Sequence, residues 1–137
     1  MILMGLETEH IFDTYTKEVR SILELAVPVW HSSLTKKLSS DIERIQRIAF
    51  RIILGDDYSN YEVACTILAT ETIEMRREKL CLKFSKNDVK SKKTLFNVVL
   101  DPSRTRATGK VVQEFKCNTK RFQNSALPYL PKLLNQQ

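Results

Sequence analysis

The chain has 137 residues, 42% of them hydrophobic and 28% charged, with only three glycines and four prolines. That length suits one compact domain, and the apolar content excludes a wholly disordered chain. No segment approaches the ~20 consecutive apolar residues of a membrane span, and the start, Met-Ile-Leu-Met-Gly-Leu-Glu-Thr-Glu, lacks the basic region of a secretory signal. Three scattered cysteines offer no pairing frame, which suits a reducing, intracellular compartment. The net charge of +6 is unevenly spread: Arg76 to Arg121 holds 14 Lys or Arg against four acidic residues, while the remainder is at −4. A polyanion partner accounts for such a basic half, and so does a well-solvated lysine-rich surface.

Taken in chain order, the pattern predicts a mainly α fold. Phe12, Tyr15, Val19, Ile22, Leu23 and Ala26 recur at three- and four-residue spacing and predict a helix from Ile11 to Val27 with that face buried. Pro28 is expected to end or kink it, with Pro28 to Ser33 as an extended or turning connector. Ser40 and Glu43 have the spacing of a capping box with Leu38 as a staple. The helix they open places Ile42, Ile45, Ile48, Ala49, Ile52 and Ile53 on one face and ends at Gly55 as a left-handed cap. A second box, Ser59 with Glu62, opens a shorter helix carrying Val63, Ala64, Ile67 and Leu68. Thr72 caps a fourth helix with Ile73, Arg77, Leu80, Cys81 and Phe84 down one side, and Lys86 to Lys93 is an exposed helix end or loop. Thr94 to Leu100 reads as a helical turn or a short strand, broken by Asp101-Pro102-Ser103, and Arg104 to Cys117 as loop or weak strand. Ser125 to Leu134 closes the chain as a short helix, with Pro128 near its first turn and Pro131 against it. The expectation is a small helical bundle of about four to six helices with a basic, loop-rich C-terminal part.

Few residues carry chemistry. Gly55-Asp56-Asp57 has the composition of a metal-binding polymerase turn, but it follows a helical pattern, so Asp56 and Asp57 read as turn residues and no catalytic residue is assigned. Cys65, Cys81, Cys117, His10 and His31 lack the close spacing of a zinc site, and Cys65 and Cys81 fall on apolar helix faces, so neither a metal nor a cofactor is expected. The basic residues are the stronger signal. Arg76, Arg77, Lys79, Lys83 and Lys86 lie on one predicted helix, followed by Lys90, Lys92, Lys93, Arg104, Arg106, Lys110, Lys116, Lys120 and Arg121. Phe115, Phe122 and Tyr129 are interleaved with the later charges, either as core residues or as base-stacking platforms. Such a surface grips phosphates without reading sequence.

The string Val19-Arg20-Ser21-Ile22-Leu23-Glu24-Leu25-Ala26-Val27-Pro28-Val29-Trp30-His31 resembles the segment after the palm in non-LTR (LINE-type) retrotransposon reverse transcriptases, jockey-like elements most closely. Leu34-Thr35-Lys36-Lys37, Ile42 to Arg47, Arg51 to Gly55, Tyr58, Tyr61, Glu71-Thr72 and Arg76 to Leu80 continue it, as do Thr105-Arg106, Arg121 to Leu130 and Leu133 to Asn135. The resemblance spans about Phe12 to Asn135. It implies a non-catalytic C-terminal piece, thumb and extension, of an RNA-directed DNA polymerase. Residues 1–85 would form the thumb-like helical core and 86–137 a basic extension of a single module, binding RNA or an RNA–DNA hybrid. The Tyr-x-Asp-Asp palm motif is absent, so Mg²⁺ would belong only to a complete polymerase. Missing palm and fingers domains are then expected partners, with self-association if their contact face is bare. The alternative is a repurposed helical protein–protein interaction module without nucleic-acid activity, docking through an apolar patch at Val29, Trp30 and Leu34.

Overall fold

The computed structural model describes residues 2–91, 112, 114 and 116–137, and these are mostly helical. The helices are α1 (Ile2–Thr14), α2 (Ser21–Glu24), α3 (Val27–Trp30), α4 (Lys36–Leu54), α5 (Tyr61–Ile67), α6 (Ile73–Ser91), α7 (Lys120–Gln123) and α8 (Ala126–Asn135). A π-helical stretch, Tyr15–Arg20, joins α1 to α2, and 3-10 turns cover His31–Ser33 and Gly55–Asp57. The mainly α expectation therefore holds. No helix among the described residues is long and apolar enough to cross a membrane. The predicted features at Thr94–Leu100 and Asp101–Ser103, and most of Arg104–Cys117, lie outside the described residues.

The chain divides into two compact units, Met1–Leu25 with Thr35–Arg76, and Ala26–Leu34 with Arg77–Gln137. The first has an aromatic-rich core of Tyr15, Phe50, Ile53, Leu54, Ala64 and Cys65, with Phe12, Tyr58 and Tyr61 packed against it. The Tyr15 ring meets Phe50 edge-on at 5.8 Å and Tyr61 stacks on Phe50 at 6.0 Å, geometries that favour the ring quadrupoles. In the second unit Val27, Cys81 and Leu130 are buried under Trp30, Leu80, Ala126, Tyr129 and Leu133. The side-chain amide of Asn135 there pairs with both backbone groups of Val112: its Nδ2 donates to the carbonyl at 2.9 Å and its Oδ1 accepts from the N–H at 3.1 Å.

Several boundaries differ from the sequence expectation, each for a local reason. The first helix does not run to Val27: Leu25 is extended and Ala26 left-handed at φ 52°, which ends it ahead of the proline. Pro28 instead sits in the first turn of α3, where its missing N–H would have no intrahelical partner anyway, so the expected connector is helical. The π stretch inserts an extra residue per turn, so the periodic face predicted through Val19 and Ile22 rotates outward after Tyr15, and both are exposed.

The Ser40–Glu43 box is not formed. Thr35 caps α4, its Oγ1 accepting from the Leu38 N–H at 3.3 Å, and Ser40 lies inside the helix. Likewise Asn60, not Ser59, caps α5 through the Val63 N–H at 2.9 Å. The predicted C-cap at Gly55 does hold a positive φ of 53°. The Thr72 cap forms as expected, its hydroxyl accepting from the Met75 N–H at 3.3 Å. α8 runs through Pro131, which is fully buried, and does not stop against it.

The isoleucine face of α4 is the largest correction. Gln46, Phe50, Ile53 and Leu54 are buried, whereas Ile45, Ile48 and Ile52 are exposed. The aromatic Phe50 fixes the inward direction, and it stands roughly 140–160° around the helix from the row of isoleucines.

Candidate nucleic-acid interface

On α6 the inward face steps by four residues through Ile73, Arg77, Cys81 and Ser85, all buried. Lys79, Lys83, Lys86 and Lys90 lie on the opposite side, within an arc of roughly 60°, because steps of four, three and four residues nearly close whole helical turns. Asp88 lies about 180° and Glu78 about 100° from Lys79, so the lysine row is uninterrupted by carboxylates of its own helix. The four lysines line one shallow groove of ≈ 360 Å³ with Leu82 and Asn87. At ~1.5 Å rise per residue they span about 16 Å. Lys79, Lys83, Lys86 and Lys90 are all exposed, with the Lys86 Nζ donating to Gln137 Oε1 at 3.5 Å. An exposed cation row of this length has the charge and reach to meet successive phosphates of a nucleic-acid backbone.

Of the other predicted binding residues, Lys116, Lys120 and Arg121 are exposed, Lys120 and Arg121 on α7 behind its Thr119 cap. Lys92, Lys93, Arg104 and Arg106 lie outside the described residues. Two arginines are corrected. Arg77 is only 1% exposed, since the i+4 step from Ile73 places it on the buried face, so its guanidinium is not offered to solvent. Arg76 is held by Glu24: its Nε and Nη2 both donate to that carboxylate, the second at 3.0 Å. Hydrogen bonding to Glu24 raises the Arg76 pKa above its usual value, while burial and the neighbouring Arg76 charge lower that of Arg20, which also flanks Glu24 at 3.6 Å. Arg76 is thus internally neutralised.

Among the aromatic candidates, Tyr129 packs in the core of the second unit, its ring 5.5 Å from His31, and burial raises its phenol pKa. Phe122 is half-buried, and Phe115 lies outside the described residues. At the proposed interaction patch Trp30 is drawn onto the same core, Leu34 is half-buried, and Val29 stands 70% exposed. Asp56 and Asp57 occupy the exposed 3-10 turn after α4, as read from the sequence. Cys65 and Cys81 are buried as expected, and burial pushes the Cys81 thiol up to about 11.

The first unit contains a polar node that the sequence reading missed. Gln46, fully buried, accepts from the Tyr15 hydroxyl at 3.0 Å, and its Nε2 donates to Tyr61 Oη and to the Glu71 carbonyl, each at 3.0 Å. Tyr61 in turn donates to Glu43, whose Oε1 also accepts the Ile73 N–H at 3.1 Å and so caps α6 from thirty residues away. The capping-box spacing assigns Glu43 to the start of its own helix, but it serves an orphan donor of another helix. No sequence-local signal marks such a pairing: the helical period puts Gln46 with Arg44 and Arg47 on the polar face, and it is buried instead. On α4 a basic flank of Lys37, Arg44 and Arg51, spaced seven residues apart, is exposed. Arg47 and Arg51 lie over the Tyr61 and Tyr58 rings at 5.1 and 5.3 Å.

No family model, curated protein or solved structure matches the chain.

Proposed function

We propose that the chain binds the nucleic-acid backbone without reading sequence, as a non-catalytic, thumb-like C-terminal segment akin to that of non-LTR retrotransposon reverse transcriptases. The observation that carries this reading is the lysine row Lys79, Lys83, Lys86 and Lys90 lining one groove on a single helix face. The order and spacing of the motifs from Val19 to Asn135 support the likeness to that family, and the exposed Lys116, Lys120 and Arg121 add charge to the same unit. The substrate class is RNA or an RNA–DNA hybrid, gripped through phosphates.

Salt titration of binding to an RNA–DNA hybrid tests it. Four phosphate contacts give a slope of log K against log salt of roughly −3 to −4. Absence of binding at 50 mM salt overturns the reading. It would leave the competing one, a helical interaction module without nucleic-acid activity, which the exposure of Val29 favours.

A further inference from the structure

We propose that the outward seam of α4, in the first unit, docks an amphipathic helix of a partner protein whose apolar stripe is edged by acidic residues. This surface is separate from the lysine row and does not depend on the nucleic-acid reading. Leu38, Ile45, Ile48 and Ile52 are exposed, Ile52 at 69%, and they recur at steps of seven, three and four residues. That is the a/d spacing of a coiled-coil seam, with Asp41 as the one polar residue at a d position. The core of the unit uses a different face of the same helix, through Gln46, Phe50, Ile53 and Leu54, so the seam is surplus to the fold.

Along one edge of the seam runs an apolar groove of ≈ 430 Å³ lined by Ile11, Tyr15, Val19, Ala49, Ile52 and Ile53, among others. Groove and seam together bring Ile11, Val19, Ile45, Ile48 and Ile52, all exposed, into neighbouring positions, in contrast to the singly scattered apolar residues of an ordinary surface. Along the other edge stand Lys37, Arg44 and Arg51, at the flanking heptad position. Among the described residues none of the three is ion-paired.

Charge decides the occupant. A second copy packed antiparallel along α4 would set this basic edge against itself. Packed parallel, it would set the edge against Ile42 and Ala49, which offer no carboxylate. An acidic-edged helix pairs with all three cations while its apolar stripe fills the groove.

The test uses the full chain and two labelled synthetic three-heptad peptides with Leu at a and d, one flanked by Glu and one by Lys, read by fluorescence anisotropy. The Glu peptide should bind at least tenfold more tightly, and 0.5 M salt should compress that ratio. A Glu-flanked peptide with a scrambled apolar stripe should not bind. The Lys37→Glu/Arg44→Glu chain should reverse the preference, and Ile45→Ser/Ile48→Ser/Ile52→Ser, all at exposed positions, should lose both peptides while keeping its helical circular dichroism. Lys83→Glu/Lys86→Glu should leave peptide binding unchanged while weakening nucleic-acid binding, so the two readings fail separately. Equal affinity for the two charged peptides, no binding of either, or a dimer in sedimentation velocity that the serine variant dissolves would each overturn the proposal.

Discussion

Gln46→Leu probes the polar node at the centre of the first unit. The substitution keeps most of the side-chain volume but removes an acceptor from Tyr15 and a donor from the Glu71 carbonyl. Tyr61 retains Glu43 as its acceptor. The buried Tyr15 hydroxyl, left without its acceptor, costs ~1–3 kcal/mol, so a loss of about 2 kcal/mol is expected. Tyr15→Phe alone strands Gln46 Oε1, at ~1–2 kcal/mol. The double variant strands neither partner of that pair, so its loss should fall short of the sum of the two single losses by ~2–3 kcal/mol. Amide hydrogen exchange reads the first unit: a loss of about 2 kcal/mol speeds exchange across α4 and α5 by roughly thirtyfold. The sole tryptophan, Trp30, belongs to the second unit, so its fluorescence is an internal control for damage elsewhere. Strict additivity of the two losses, or greater protection in Gln46→Leu, would refute the view that this node is a coupled hydrogen-bonded unit.

Three further outcomes are expected. Ala69 holds φ 47° at the left-handed position of a Schellman motif, with its N–H donating to the Thr66 carbonyl at 3.1 Å and that of Thr70 to the Cys65 carbonyl at 2.9 Å. Ala69→Gly should therefore raise stability by about 1 kcal/mol, seen as a higher urea midpoint; no gain would mean that the strain is absorbed elsewhere. Burial pushes Tyr15 up to about 12 and Cys81 up to about 11, from usual values of 10.0 and 9.0. Native groups that bind protons more tightly than the unfolded chain stabilise it fully below the unfolded values. That contribution is lost as pH rises, from 9 to 11 for Cys81 and from 10 to 12 for Tyr15, so the urea midpoint should fall steadily above pH 9. Lys83→Ala/Lys86→Ala should weaken hybrid binding for every sequence alike and reduce the salt slope by roughly two, measured by anisotropy at several ionic strengths.

The sequence by itself determined the helical class, the Gly55 turn, the Thr72 cap and the burial of Cys65 and Cys81, because each rests on local geometry: turn conformation, capping spacing and apolar periodicity. It also exposed the basic half, since charge is counted, not folded. It could not decide which of two apolar faces of α4 turns inward. Ile45, Ile48 and Ile52 match the helical period as well as Phe50 and Ile53 do, and the aromatic packing of Tyr15 and Tyr61 on Phe50 chose between them. Nor could it separate a surface arginine from one neutralised by Glu24, or a capping Glu43 from one that serves Ile73 thirty residues on. Those outcomes depend on which segments meet in space, and a pattern of neighbours along the chain carries no record of that.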